Sequence, residues 1–230
     1  MTLIFVTAAV VAVTLLRTPN HATADTLSME AILRGEFSPA TANPVWLANG
    51  DFLTESSEGG LRFLKRYSST SFSTSPFLNS STLKVGDYAY GNDFFAYYPS
   101  TDEKFVLFAI NHQKQFRSSF YAQWILYNVA TLESRYLLEG VGGSAQFAAN
   151  PVWNPSPTLS ASLAIVVDRN ILILSDLVND TITVKNVTTD GSPLVWNGMM
   201  DWLYEEEVFE SSPALYWSPD GLQLAYLRLD

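Results

Sequence analysis

The sequence contains no cysteine and only two histidines, His21 and His112. A chain without thiols forms neither a disulfide framework nor a thiolate metal site, and two histidines are too few for a histidine-based metal centre. We therefore expect no metal ion and no cofactor in this chain. Cysteine usage does not indicate whether the protein resides in an oxidising or a reducing compartment, because no cysteine is present.

Positive charge is also scarce, since 13 Lys and Arg residues stand against 23 Asp and Glu residues and give a net charge of −10. A chain of this balance, with no Lys/Arg-rich run, repels phosphate groups, so we expect no nucleic-acid partner. Apolar residues are not scarce: they make up 47% of the 230 residues, which is enough to bury a globular core.

A long uncharged apolar run occurs only at the start, where MTLIFVTAAVVAVTLL ends at Arg17. At about 1.5 Å per residue it spans roughly 24 Å as a helix, less than the ~30 Å hydrocarbon core of a bilayer. Its length and the A-x-A-like residues 22–24 favour a cleaved signal peptide, whereas the missing basic n-region favours a clipped type II membrane anchor. A buried core helix is a third reading. The first two readings predict either a plasma-membrane protein with an extracellular ectodomain or a secreted protein.

Three Asn-X-Ser/Thr triplets fit an extracytoplasmic chain and are glycosylation candidates. They begin at Asn79, Asn179 and Asn186. A chain rich in Ser and Thr also produces such triplets by chance, so they support the compartment only weakly.

Long helical patterns are missing as well. One short helix-like stretch covers residues 27–34 and is closed by Gly35, and the remaining sequence consists of short alternating runs broken by Pro, Gly, Asn and Asp. Four places share one plan, in which an aromatic residue precedes a polar turn and an apolar run. The leading aromatics are Trp46, Tyr98, Trp153 and Trp217, at separations of 52, 55 and 64 positions.

A strand-rich unit that recurs about every 50 residues is typical of a β-propeller, whose four-stranded blades stack on their neighbours. A β-sandwich with coincidental hairpins is the alternative. We predict an all-β fold with an incomplete β-propeller over residues 41–230, after a signal or anchor segment at 1–17 and a linker at 18–40. Residues 222–230 read as one strand of a new blade, which predicts an open ring and a longer parent protein.

The stretch DWLYEEEVF, residues 201–209, sets three adjacent carboxylates among large apolar side chains. Aromatic residues favour burial and carboxylates do not, so we expect Trp202, Tyr204 and Phe209 to anchor the segment against the blades. Neighbouring side chains alternate faces in a strand but lie about 100° apart on a helix. If two adjacent acids of this run, Glu206 and Glu207, bind one ligand together, the segment must therefore form a short helix, around residues 202–208. An exposed acidic helical turn without a ligand is the alternative.

Together with the following PALYWSPDGLQLAY, residues 213–226, this motif resembles the N-terminal region of the dipeptidyl peptidase IV family of serine exopeptidases. KQFRSSFYA, residues 114–122, resembles that family's arginine-bearing segment. LSMEAILRGEFSP, residues 27–39, resembles the segment that precedes its propeller. The three landmarks occur in the family's order and span nearly the whole chain.

The resemblance implies a type II membrane ectodomain, homodimeric in the full-length protein, in which an eight-bladed propeller caps a C-terminal α/β-hydrolase domain. Such enzymes release dipeptides from peptides with a free N-terminus, and this chain would supply about the first half of the ring. The family's last two acids hold the substrate α-ammonium and correspond to Glu206 and Glu207. The family's arginine, which binds the substrate carbonyl and orders the acids, corresponds to Arg117. Glu205 inherits no role, so we expect it to be expendable.

The chemistry agrees with this correspondence. An α-ammonium has three N–H donors, which two carboxylates and one further acceptor can satisfy with charge-assisted hydrogen bonds. A guanidinium beside two close carboxylates offsets their repulsion, which gives Arg117 a second role.

The catalytic groups of such an enzyme are absent from the sequence. Acyl transfer on an α/β-hydrolase uses a Gly-x-Ser-x-Gly elbow, and the nearest match, Ser144, has Gly142 before it but Gln146 after it. We expect no catalytic residue here and no activity of the chain alone, because the resemblance places the triad beyond Asp230. Two other readings stay open: a non-enzymatic family member that serves as an auxiliary subunit of a potassium channel, and a chain that works alone as a binding module.

Overall fold

A computed structural model describes residues 28–34, 43–58, 60–141, 147–159, 161–179 and 181–230. The chain divides into two units, Met1–Thr41 and Ala42–Asp230. In the first unit, helix α1 (Met29–Leu33) begins after Ser28, whose Oγ accepts a hydrogen bond of 3.0 Å from the Ala31 N–H. This helix lies within the stretch predicted to be helical.

The predicted signal or anchor segment, residues 1–17, lies outside the described residues, as does most of the predicted linker. Within the described ranges, no helix has the length and the apolar character needed to cross a bilayer.

The second unit consists of short antiparallel strands in successive sheets, which we call blades in chain order. The first blade contains β1 (Val45–Trp46), β2 (Phe52–Glu58), β3 (Leu61–Tyr67) and β4 (Thr74–Asn79). A 3₁₀ turn (Ser80–Thr82) and the hairpin of β5 (Lys84–Val85) and β6 (Tyr88–Ala89) follow. The second blade contains β7 (Ala96–Pro99), β8 (Phe105–Lys114), β9 (Phe120–Asn128) and β10 (Ser134–Tyr136). The third contains β11 (Ala149–Trp153), β12 (Leu163–Val167), β13 (Asn170–Ser175) and β14 (Thr183–Asn186), and the fourth contains β15 (Trp196–Asn197), β16 (Leu215–Trp217), β17 (Leu224–Tyr226) and β18 (Arg228–Leu229).

The middle strands are buried on both faces. In β8 the side chains alternate: Val106, Phe108 and Ile110 pack with Leu53 of the first blade, whereas Phe105, Leu107 and Ala109 pack with Leu163 of the third. A strand that is covered on both sides reads as a continuous apolar run, which explains FVLFAI in β8 and LAIVV in β12. A sandwich sheet would cover one face only. The predicted all-β, partial-propeller fold is confirmed.

The repeated aromatic residues link one blade to the next. The indole N–H of Trp153 donates to the Tyr98 carbonyl at 3.0 Å, and that of Trp217 donates to the Val152 carbonyl at 3.1 Å. In both cases the bond runs from the strand that contains the repeated tryptophan to the corresponding strand of the preceding blade. The repeat of about 50 residues is therefore the spacing of these inter-blade contacts.

The turn after Trp217 has the predicted hairpin chemistry. The Gly221 N–H donates to the Ser218 carbonyl at 2.8 Å, and Gly221 has a φ of +73°, which a residue without a Cβ adopts freely. The Asp220 carboxylate accepts a hydrogen bond of 3.0 Å from the Leu222 N–H. The turn therefore closes through both its backbone and its side chain.

The fourth blade carries the acidic motif on an interruption of one strand. β16 pairs with β17, and β15 pairs with β18, so β15 and β16 lie end to end along the same partner edge. Between them the chain leaves the sheet and returns, and a bridge between Met199 and Pro213 closes the base. We call residues 200–212 the acidic excursion. Residues 222–230, predicted to be one strand, form β17 and β18.

Candidate substrate-binding site

The acidic excursion contains the predicted short helix. Residues 202 and 203 are α-helical and are followed by a π-helical turn, Tyr204–Val208. The Asp201 carboxylate caps the start by accepting the Tyr204 N–H at 2.8 Å, and the Phe209 N–H reaches back five residues to the Tyr204 carbonyl at 2.9 Å. A π turn holds more residues than an α turn, so neighbouring side chains diverge by less than about 100°. The three carboxylates therefore project from one wide turn.

Glu205 is the buried member of the three, with 1% of its surface exposed. Its Oε1 accepts hydrogen bonds from two consecutive backbone N–H groups, those of Ser118 and Ser119, the latter at 2.9 Å. Its Oε2 is also buried and has no hydrogen-bond partner among the described residues. One carboxylate thus joins the acidic helix to a segment 86 and 87 positions earlier in the chain.

That segment is the loop at the end of the β8–β9 hairpin, residues 115–119, which we call the arginine loop. The last four residues of β8 are exposed, so the hairpin projects past the packed part of the blade. Two hydrogen bonds to Ser119 shape the loop: the Gln115 N–H donates to its carbonyl at 3.0 Å and the Phe116 N–H to its Oγ at 3.2 Å. The Phe116 ring stacks on Trp196 of β15, with centroids 6.2 Å apart. The fourth blade therefore holds the loop at its base as well as at Glu205.

The three predicted binding residues lie on these two joined elements. Glu206 is half-buried, whereas Glu207 and Arg117 are exposed. In the described part of the chain, no ion pair within 4.0 Å involves any of the three. The structure thus brings the predicted acids and the predicted arginine onto adjoining elements through Glu205, not through a direct contact between them. Their binding roles stay predictions.

One expectation for this motif is wrong. The aromatic residues expected to anchor it are largely exposed, by 58% for Trp202, 38% for Tyr204 and 42% for Phe209. The burial of Glu205 was not expected from the sequence, and its expendability stays a prediction. The aromatic residues are exposed because the excursion leaves the sheet and contacts it mainly at its base. The Glu205 carboxylate can be buried because two backbone N–H donors offset its desolvation.

The base of the excursion is held by Asn150, which the sequence did not single out. Asn150 is buried, lies at the bulge in β11 and has a φ of +51°, a region in which Asn is enriched. Its Nδ2 donates to the carbonyls of Gly198 and Ser212 at 3.2 Å, and the Ser212 hydroxyl donates to its Oδ1 at 2.7 Å. One amide therefore bonds both legs of the excursion, which are the chain at Gly198, just before it, and at Ser212, its last residue. An Asn directly before Pro151 in an apolar strand was the available indication.

A second contact lies at the same base. The Tyr121 hydroxyl on β9 donates to the Met199 Sδ at 3.6 Å. The Tyr121 hydroxyl is a donor at neutral pH because the ordinary pKa of tyrosine is 10.0, and burial raises the pKa of Tyr121 further.

The glycosylation candidates lie outside the acidic excursion and the arginine loop. Asn79 ends β4, Asn186 ends β14 and Asn179 lies between β13 and β14, all three exposed. Ser144, the nearest match to a serine elbow, lies outside the described residues.

Comparison with known proteins agrees with the fold and with these landmarks. Residues 100–230 match the family described as "Dipeptidyl peptidase IV (DPP IV) N-terminal region". The chain is 32% identical over 204 residues to a probable dipeptidyl peptidase 4 of Emericella nidulans, covering 87% of this chain and 24% of that protein. It is 29% identical over 212 residues to a putative dipeptidyl aminopeptidase of Schizosaccharomyces pombe, covering 90% and 24%. The crystal structure of Porphyromonas gingivalis dipeptidyl peptidase 4 superposes with a TM-score of 0.67 at 25% identity, covering 88% of this chain and 27% of that one.

The chain therefore belongs to the dipeptidyl peptidase IV N-terminal region family. It spans about a quarter of the length of the curated relatives it matches. The names of these relatives are those of peptidases and give no support to the potassium-channel alternative.

Proposed function

We propose that this chain is the recognition part of a dipeptidyl peptidase IV-like serine exopeptidase and that it binds the free N-terminus of peptide substrates. In this proposal, Glu206 and Glu207 bind the substrate α-ammonium, and Arg117 binds the substrate carbonyl and balances the two acids. Cleavage, which releases a dipeptide, belongs to a hydrolase domain of the full-length protein. The chain itself supplies recognition without a catalytic group.

The observation that carries the proposal is the contact between the acidic helix and the arginine loop. The Glu205 carboxylate accepts N–H groups of Ser118 and Ser119, which follow Arg117 directly. The two elements that carry the three candidate residues are therefore neighbours, although they lie far apart in sequence. Membership of the family supports the same assignment.

Charge explains why this arrangement suits a peptide N-terminus. Each charge-assisted hydrogen bond contributes about 1.5–3 kcal/mol, roughly twice a neutral one, so an ammonium gains from each carboxylate. An acetylated N-terminus has no positive charge and would leave both acids without compensation. The site would then select peptides mainly by whether their N-terminus is free, and less by their amino-acid sequence.

Kinetics of the full-length protein test the proposal. We expect Glu206→Ala, Glu207→Ala and Arg117→Ala each to lower kcat/KM for a dipeptide amide by at least about 10-fold, since each removes a charge-assisted bond of about 1.5–3 kcal/mol. Glu210→Gln is the matched control, because Glu210 is an exposed acid of the same excursion and is not one of the candidate residues. Wild-type rates in all three alanine variants would contradict the proposal.

We also propose a location and an assembly for the full-length protein: a type II plasma-membrane protein with an extracellular ectodomain, or a secreted one, forming a homodimer. The apolar first sixteen residues support the first part. Alkaline extraction of membranes would retain an anchored protein and release a secreted one, and light scattering of the ectodomain would give its mass. A full-length protein confined to the cytosol, or an ectodomain monomeric at micromolar concentration, would contradict the corresponding part.

A further inference from the structure

We infer that Glu205 is a positioning residue of the proposed site, which fixes the arginine loop relative to the helix that carries Glu206 and Glu207. The expected kinetic effect rests on the proposed function, whereas the contact made by Glu205 is independent of it. Glu205 is one peptide bond from Glu206, and Ser118 is one peptide bond from Arg117. The Glu205 carboxylate therefore links the two halves of the site directly.

The burial of Glu205 excludes the simpler role of a third ammonium ligand. With 1% of the residue exposed and both oxygens buried, the carboxylate has no free face toward a substrate. Its Oε1 is already committed to two backbone donors. The three glutamates therefore divide into one that faces the protein and two that remain available.

The arginine loop donates two of its backbone N–H groups to this carboxylate. Ser119 is buried, and its N–H donates to Glu205 while its carbonyl and hydroxyl accept from Gln115 and Phe116. Removing the carboxylate would leave a buried N–H without an acceptor, which native structures avoid. The loop would then move until that N–H reached another acceptor, and Arg117 would move with it.

Other contacts keep the effect local. The Phe116 ring remains stacked on Trp196, and Asn150 remains bonded to both legs of the excursion. We therefore expect loss of Glu205 to shift the loop without unfolding the blades. A misplacement of about 1 Å in a positioning element can cost about 100-fold in rate.

The test compares Glu205→Ala with Glu205→Gln in the full-length protein, beside Glu206→Ala and the control Glu210→Gln. A glutamine keeps an oxygen that can accept both N–H groups, whereas an alanine keeps none. Three quantities are measured: kcat/KM for a dipeptide amide, the labelling rate of the catalytic serine by an uncharged fluorophosphonate, and hydrogen exchange of the loop amides. The fluorophosphonate lacks an ammonium, so its reaction reports an intact hydrolase without using the recognition site.

We expect Glu205→Ala to lower kcat/KM by about 20- to 100-fold, to speed exchange at Ser118 and Ser119, and to leave serine labelling within about twofold of wild type. Glu205→Gln should retain kcat/KM within about fivefold. Wild-type kcat/KM in the alanine variant overturns the inference, as does an equal loss in the glutamine variant. If the alanine variant also loses serine labelling, the inference is judged on Glu205→Gln. A kcat/KM within about fivefold of wild type supports it, and a larger loss contradicts it.

The same set of variants separates this inference from the proposed function. Wild-type cleavage by Glu206→Ala would contradict the proposed function, and loop exchange in Glu205→Ala would still report whether Glu205 orders the loop. Loss of cleavage in Glu206→Ala beside normal cleavage in Glu205→Ala would contradict the positioning role alone.

Discussion

Three consecutive glutamates of one helical turn have different environments. Glu205 is buried against backbone donors, Glu206 is half-buried and Glu207 is exposed. The repulsion among them is reduced because the buried carboxylate is compensated by N–H groups of the arginine loop. At this scale, the acidic run is one structural acid beside two acids that remain available for a cation.

Asp51 is a second carboxylate whose ionised form is stabilised by specific hydrogen-bond donors. We therefore expect the protein to lose stability in acid. A hydrogen bond from the Ser69 N–H and another from the Arg66 guanidinium lower the pKa of Asp51 to about 2. A folded-state pKa below the ordinary value of 3.8 means that the charged form stabilises the fold. This contribution is complete above about pH 4 and is lost as the pH falls toward about 2.

We expect Asp51→Asn to flatten the fall in melting temperature between about pH 4 and pH 2, because the neutral side chain has no proton to take up. Asp87→Asn, at an exposed aspartate in the β5–β6 turn, is the control and should leave that fall unchanged. A curve for Asp51→Asn that runs parallel to wild type across this range would show that Asp51 does not carry the effect.

At the element scale, the base of the acidic excursion is held by the side-chain amide of one residue. Asn150 makes three hydrogen bonds to the two legs at a φ of +51°. Replacing it with Gly removes the bonds but keeps the backbone unstrained, whereas Ala removes them and adds about 1–2 kcal/mol of strain.

We expect Asn150→Gly to lower the free energy of local opening around Met199 and Pro213 by about 1–3 kcal/mol, and Asn150→Ala to lower it further. Native-state hydrogen exchange of the full-length protein measures this quantity directly. Pro213 has no N–H, so the reporters are the Met199 amide and the amides of the neighbouring non-proline residues; unchanged exchange there in both variants would contradict the role of Asn150.

The repeated tryptophans give a prediction about blades. Trp217→Phe removes the indole donor to the Val152 carbonyl and keeps an aromatic ring, so opening of the fourth blade should become easier by about 1 kcal/mol. Trp46→Phe is the matched control, since Trp46 holds the same place in the first blade, is 67% exposed and has no described blade before it. An equal effect of both substitutions on hydrogen exchange would show that the indole bond contributes nothing specific.

The elements that local chemistry determines could be predicted from the sequence. The aromatic spacing gave the blades, Pro219 to Gly221 gave a hairpin turn, and the need for two acids to converge gave the helix. Contacts between distant polar groups could not be predicted, since no periodicity links Glu205 to Ser118 across 87 positions. Burial of the aromatic residues was predicted wrongly because hydrophobicity describes a residue's preference and not whether its segment lies against the core.

At the scale of the whole molecule, the described chain is a set of packed blades from which one acidic helix projects. The blades pack through both faces of their middle strands, and the excursion rises from an interrupted strand of the fourth blade. Since the chain spans about a quarter of its curated relatives, catalysis by the whole protein remains part of the proposal. In the proposed function, these sheets hold the element that recognises the substrate N-terminus.

The central claim is that Glu206 and Glu207 recognise a free N-terminus, and one comparison tests it most directly. Cleavage of one peptide by the full-length protein is measured with a free and with an acetylated N-terminus, in wild type and in the Glu206→Ala/Glu207→Ala double variant. The account predicts that wild type prefers the free peptide by at least about 100-fold, the sum of two charge-assisted bonds, and that the double variant loses this preference. Equal cleavage of both peptides by wild type, or an undiminished preference in the double variant, would contradict it.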